Sequence, residues 1–218
     1  MISRTLLSHG ASKVYILGRR LSALTTASTA NPGLIPIQCD ITSKNSLQAA
    51  VDHITRDAGY INFLVANSGI LGPTASFSAK QTVQEMRQNM FADISMADFT
   101  NVFEVNSTAT YFTLLAFLEL LDAGNTHAVE AGGFGKPIKE GSKVPAIQSQ
   151  VLVTSSVGAF LRDESIVPAY MASKSALIAL VKHAASGLAH VGIRVNALAP
   201  GCKFASYHLS SFQLLLLV

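Results

Sequence analysis

Five short apolar runs recur along this chain, "KVYILG", "LIPIQCD", "INFLVANSG", "QVLVTSS" and "IRVNALAPG", with helix-patterned segments between them. Each run is apolar along its length rather than at every second residue, so both of its faces are to be covered. Strands buried on both faces and alternating with helices form a parallel sheet, because each connection must cross over through a helix to reach the next strand. The expected fold class is α/β, a doubly wound parallel sheet with helices on both faces. A chain of 218 residues, 49% hydrophobic and 13% charged, suits one such domain with a sizeable core.

The helical segments follow from spacing and punctuation. "ISRTLLSHG" reads as the last turns of a helix stopped by Gly10. "TSKNSLQAAVDHITRDAG" begins with Thr42 as cap and runs to Gly59. "MADFTNVFEVNSTATYFTLLAFLELLDAG" is expected as one long helix, and "PAYMASKSALIALVKHAASGLAHVG" as another. Residues 122–149 are Gly-rich and polar without periodicity and are expected as a long loop, either a surface insertion or a binding loop. The terminal "FQLLLLV" is about a third of the ~20 residues a membrane span requires, so it reads as a short strand or a packed tail.

Charge and cysteine usage narrow the function. The net charge is +3, but Lys and Arg are scattered singly, so no stripe tracks a phosphate backbone and nucleic acid is not an expected partner. Cys39 and Cys202 suggest no disulfide framework, and the N-terminus lacks the apolar core of a secretory signal. A reducing, cytoplasmic location is expected. His183 and His190 lack the partners and spacing of a zinc site, so no metal is expected, and no G-x-S-x-G elbow is present.

The chemistry concentrates near Tyr170. Positions i and i+4 share a helix face, so Tyr170 and Lys174 project side by side. A free phenol has a pKa of about 10, and a neighbouring ammonium favours the phenolate, which suits a tyrosine that exchanges a proton with a carbonyl or alcohol oxygen. Tyr and Lys also fall four apart by chance, as core and snorkelling residues. Ser155 and Ser156 end a strand, at the sheet edge where ligands bind in this architecture; a serine pair there is also an ordinary turn or helix cap.

"VTSSVGAF", "YMASK" fourteen residues after Ser156, and "IRVNALAPG", together with "FEVNSTATYF", "LVANSGI", "CDITS" and "YILGRR" upstream, resemble the short-chain dehydrogenase/reductase family over residues 1–201. By that resemblance Tyr170 is the general acid/base, Lys174 tunes it and holds the nicotinamide ribose, Ser156 orients the carbonyl, and Asn106 fixes a water that returns protons. Asn106 also reads as a polar residue satisfied in a helix kink. "ANSG" departs from the family's "NNAG" at Ala66 and Ser68 but keeps Asn67 and Gly69, which line the adenosine ribose. Asp40 and Ile41 are implied at the adenine, with a turn or cap role for Asp40 as the alternative. Pro200 and Gly201 match the turn beside the nicotinamide.

Cofactor preference turns on "YILGRR". An acid there binds a ribose 2′-hydroxyl, whereas a guanidinium accepts a 2′-phosphate. Gly18 and Arg19 stand there without an acid, so NADP is favoured over NAD; Arg19 and Arg20 also read as solvated surface charges.

Relative to the family the sequence is expected to be truncated at both ends. It opens at a segment matching the middle of the helix that follows the glycine-rich loop, so the first strand and that loop are lacking. After Gly201 it becomes "CKFASYHLSSFQLLLLV", giving a Rossmann-like core over 1–201 and a divergent apolar tail over 202–218. In the order 3-2-1-4-5-6 the first strand is central. "KVYILG" and "INFLVA" must then close on each other, or another segment must fill the gap, or the chain folds poorly. The two expected functions are an NADP(H)-dependent oxidoreductase acting on a small-molecule carbonyl or alcohol, and a non-catalytic family member with a structural or regulatory role. The resemblance also implies a homodimer or tetramer.

Overall fold

A computed structural model describes residues 2–130, 136–137, 139–142 and 145–201, and the backbone of 214–217. In chain order the elements are α1 (Ile2–Ser8), β1 (Val14–Gly18), α2 (Leu21–Ala30), β2 (Leu34–Gln38), α3 (Lys44–Asp57), β3 (Phe63–Ala66), α4 (Val83–Arg87), α5 (Met96–Phe103), α6 (Thr110–Ala116), α7 (Leu118–Glu130), β4 (Gln150–Thr154), α8 (Pro168–Leu188), β5 (Arg194–Leu198) and β6 (Leu214–Leu217). The sheet order is β2-β1-β6-β3-β4-β5. All five apolar runs are strands, and β1 with β2, β3 with β4, and β4 with β5 pair in parallel.

The gap between β1 and β3 is filled by β6, which runs antiparallel to both. Its register places Leu217 opposite Val14 and Phe63, and Leu215 opposite Ile16 and Val65. The apolar C-terminal run thus supplies the backbone donors and acceptors that two buried central strands would otherwise leave unmatched.

Alternation along the strands sends side chains to two layers. Tyr15, Leu17, Leu64 and Val151 join the core beneath α3, α6, α7 and α8. Val14, Ile16 and Val65 face the other way, onto Leu24 of α2 with Leu6 and Leu7 flanking. On α3 the buried Leu47, Ala50, Val51 and Ile54 follow helical spacing and account for its place against the sheet. Tyr15 carries a hydroxyl into this core, and it donates to the Asp57 carboxylate, which also pairs with Lys13 at 3.0 Å. Burial, then that carboxylate, pushes the Tyr15 phenol well above its ordinary range.

Three expectations are corrected. The cap of α3 is Ser43, whose side chain accepts from the Ser46 amide, rather than Thr42, whose hydroxyl donates to Asp40 instead. The long helix over 96–124 is interrupted: a π-turn spans Glu104–Ala109, and a break at Phe117 separates α6 from α7. The loop expected over 122–149 begins later, because α7 continues to Glu130. Gly124, within α7, is there for close approach: a Cβ on it would lie 2.2 Å from the Ile61 carbonyl oxygen. Beside it Asn125 accepts from the Ser149 amide at 2.7 Å and donates to the Gly192 carbonyl at 3.0 Å, stitching α7 to the starts of β4 and β5. Among the described residues no helix is long and apolar enough to cross a membrane.

Gly124→Ala is expected to lower the unfolding free energy by about 1–3 kcal/mol, the ordinary cost of overpacking, read from urea denaturation. An unchanged midpoint would mean that α7 moves off Ile61 without penalty.

Candidate active site

The carboxyl ends of the parallel strands open onto two adjoining clefts that share a wall at Gly69, Ile70 and Leu71. One, of about 680 Å³, lies at the ends of β1 and β2 and contains Arg19, Asp40 and Ile41. The other, of about 810 Å³, lies at the ends of β3, β4 and β5 against the start of α8. Asn67, Ser156, Tyr170, Lys174, Pro200 and Gly201 all line it. Of the site residues expected from the sequence, only Asn106 lines neither cleft.

Helix α8 begins with Pro168, suited to a first helical position where no amide partner is needed. It carries Tyr170 and Lys174 on one face, with the Lys174 ammonium 5.8 Å from the Tyr170 ring centre. Lys174 is 3% exposed, and its Nζ donates to the Thr154 carbonyl at 2.7 Å. Thr154 is itself held, its hydroxyl donating to Asn67 Oδ1 at 2.7 Å. Ser155 also lines the cleft, and its hydroxyl donates to the Lys174 carbonyl. Ser156 caps the 3-10 turn Val157–Ala159 by accepting from the Gly158 amide at 3.1 Å, which leaves its own O–H as a donor.

Asn106 sits in the π-turn and is fully buried. Its amide accepts from the Ile70 N–H at 2.8 Å, donates to the Ile70 carbonyl at 2.9 Å, and donates to Ser173 Oγ at 3.0 Å. Ser173 in turn donates to the Tyr170 carbonyl. A Cβ on Gly69 would lie 3.1 Å from Asn106 Oδ1 and 3.4 Å from Lys174 Nζ, so glycine is what lets this turn pass between the amide and the ammonium.

In the first cleft the Asp40 carboxylate accepts from the Thr42 amide and hydroxyl, and these bonds, with Arg19 nearby, hold it below the usual carboxylate range. It therefore does perform the turn role weighed as the alternative, while still lining the cleft. Arg19 is exposed. Sequence reasoning missed Thr154 and Ile70, which act through backbone atoms that no side-chain motif can announce. It also missed Ser173, which lies within "YMASK" and whose spacing from Tyr170 is the one signal that could have found it.

Burial lowers Lys174 from 10.5 to about 8. Between those values the unfolded chain holds a proton that the folded chain has released, so this group's contribution to stability rises as pH climbs through that window. The native chain is expected to gain stability relative to Lys174→Met between about pH 8 and pH 10.5, read from paired urea titrations. A constant difference would show that the lysine titrates normally.

The short chain dehydrogenase family model matches residues 1–130, and the enoyl-(acyl carrier protein) reductase model matches residues 120–203. A short-chain dehydrogenase/reductase of Stachybotrys chartarum is 57% identical over 201 residues, covering 92% of this chain and 73% of that protein. Another, from Byssochlamys spectabilis, is 42% identical over 215 residues, covering 92% and 68%. Among solved structures, an NAD+-bound xylitol dehydrogenase is 28% identical with a TM-score of 0.62; the match covers 86% of this chain and 59% of that one. An NADP complex from Pseudomonas aeruginosa is 20% identical with a TM-score of 0.69, covering 93% and 67%, and shows the shared fold. With a family model spanning more than half its length and such relatives beside it, this chain belongs to the short-chain dehydrogenase/reductase family.

Proposed function

We propose that this chain is an NADP(H)-dependent oxidoreductase that interconverts a carbonyl and an alcohol by hydride transfer. The observation that carries the reading is the convergence of Tyr170, Ser156 and a buried Lys174 on one cleft at the carboxyl edge of the sheet. Arg19, Asp40 and Ile41 suit the adenine end of the cofactor, Asn67 and Gly69 its adenosine ribose, and Lys174, Pro200 and Gly201 its nicotinamide end. The close passage at Gly69 and the lysine N–H groups not engaged by Thr154 fit a ribose against this wall. When bound, the nicotinamide supplies or accepts the hydride.

The chain's own groups manage the proton. The Ser156 O–H holds the substrate oxygen; the Tyr170 O–H delivers a proton to that oxygen in reduction, and the Tyr170 phenolate takes one from it in oxidation. The Lys174 ammonium stabilises negative charge developing on the phenol oxygen, and its burial strengthens that effect. Asn106 is the positioning residue: it holds the Ile70 turn and, through Ser173, the first turn of α8. Arg19 offers a guanidinium and β1 ends without an acid, which supports NADP over NAD.

One observation favours a second reading. β6 enters the sheet antiparallel between β1 and β3, where a dinucleotide fold places a parallel strand and its phosphate-binding turn. On that reading the chain is a non-catalytic family member.

A thermal melt with and without NADPH, followed by NADPH oxidation over a panel of carbonyl compounds, separates the two. Tyr170→Phe is expected to lower turnover about 10²–10⁴-fold while keeping the NADPH-induced rise in melting midpoint. A native chain that neither shifts with NADPH nor turns over any carbonyl would sustain the second reading. Arg19→Glu is expected to weaken NADPH about 10- to 100-fold and leave NADH nearly unchanged; equal losses for both would remove Arg19 from the phosphate site.

A further inference from the structure

The larger cleft is more specific than its proton chemistry requires. Beyond Tyr170 its wall is built from Leu71, Val157, Leu161, Ile166 and Val167. Leu161 is 47% exposed, an apolar side chain standing at the rim with nothing over it among the described residues. Of the polar groups in this part of the wall, Asp163 and Ser165 bond to one another, and Thr74 stands exposed at the edge. Asp163 Oδ1 accepts from the Ser165 amide at 2.9 Å and from the Ser165 hydroxyl at 2.6 Å. Of the charged residues described in the lining, Lys174 is drawn inward to Thr154, and Asp163 is an acid.

These features discriminate among carbonyl compounds. A polyhydroxy substrate would shed bound water at each hydroxyl and meet hydrocarbon, leaving groups unpaired. Among the described residues that line the cleft, an anionic substrate would face Asp163, the one cation there being Lys174, which is drawn inward. An apolar body loses little on entering and buries area against Leu71, Leu161, Ile166 and Val167.

Resting on the oxidoreductase reading, we propose that the substrate is a bulky, uncharged, predominantly apolar ketone or secondary alcohol. Its one polar oxygen lies at Ser156 and Tyr170, its hydrocarbon body lies on the Leu71–Leu161–Ile166–Val167 wall, and Asp163 excludes carboxylates at the rim.

The test uses the full chain and three probes: trans-decalone, a carboxylate derivative of it, and fructose. Binding is read by ligand-observed NMR in the presence of NADPH, and NADPH oxidation is followed separately. Trans-decalone is expected to bind about tenfold or more tighter than either other probe. Leu161→Asn, at an exposed position, is expected to weaken trans-decalone several-fold, and Asp163→Asn to narrow the gap between trans-decalone and its carboxylate. Equal or tighter binding of fructose or of the carboxylate, or no binding of trans-decalone, overturns the proposal. The expected preference without NADPH oxidation would sustain the binding site and sink the oxidoreductase reading, so the two failures are distinguishable.

Discussion

One buried amide holds together three segments that the chain builds separately. Asn106, in the π-turn between α5 and α6, spends its acceptor and both donors on the Ile70 backbone and Ser173. The turn after β3, the α5–α6 segment and α8 therefore share one anchor. Leaving any of these groups unmet in a dry interior costs about 1–3 kcal/mol, so the arrangement has little freedom to drift. The wide turn has a purpose in this geometry, since it lets a polar side chain meet backbone outside its own helix. Gly69 completes the fit by keeping the space between Asn106 and Lys174 free of side chain.

Lys174 is the second consequence of that anchor. Drawing an ammonium out of water is costly, and the Thr154 carbonyl recovers only part of that hydration. The remainder appears as the fall in its pKa to about 8. The charge is thus held in a poorly screened place beside Tyr170, where it acts more strongly than a surface lysine would. Its position is transmitted from the sheet, because Thr154 ends β4 and is pinned to Asn67 at the end of β3. The two strand ends, rather than α8 alone, decide where the ammonium sits.

The centre of the sheet shows how strongly backbone pairing constrains a fold. β1 is buried on both faces, and β3 nearly so, and each needs a neighbour on its inner side. The four leucines of β6 meet that need in the antiparallel sense. An apolar run suits a slot between two covered strands whichever way it points, since the ladder can be closed in either direction.

The sequence by itself determined the α/β class, the five parallel strands, α8 and the side-by-side placing of Tyr170 and Lys174. These depend on apolar pattern and helix period, which are local. It placed the start of the loop too early, at residue 122, because nothing local reveals that Gly124 lies inside α7 to admit a neighbouring carbonyl until Ile61 is in place. It misplaced the α3 cap by one residue for a similar reason: Thr42 was taken by Asp40. It also read one uninterrupted helix where the π-turn lies, since the pull on Asn106 comes from residue 70 and from α8, both distant in sequence. Only the tertiary structure decided which segment fills the central gap, in which direction, and which backbone carbonyl holds the lysine. Those choices are made by groups common to every residue, so they leave no mark in the sequence until distant segments meet.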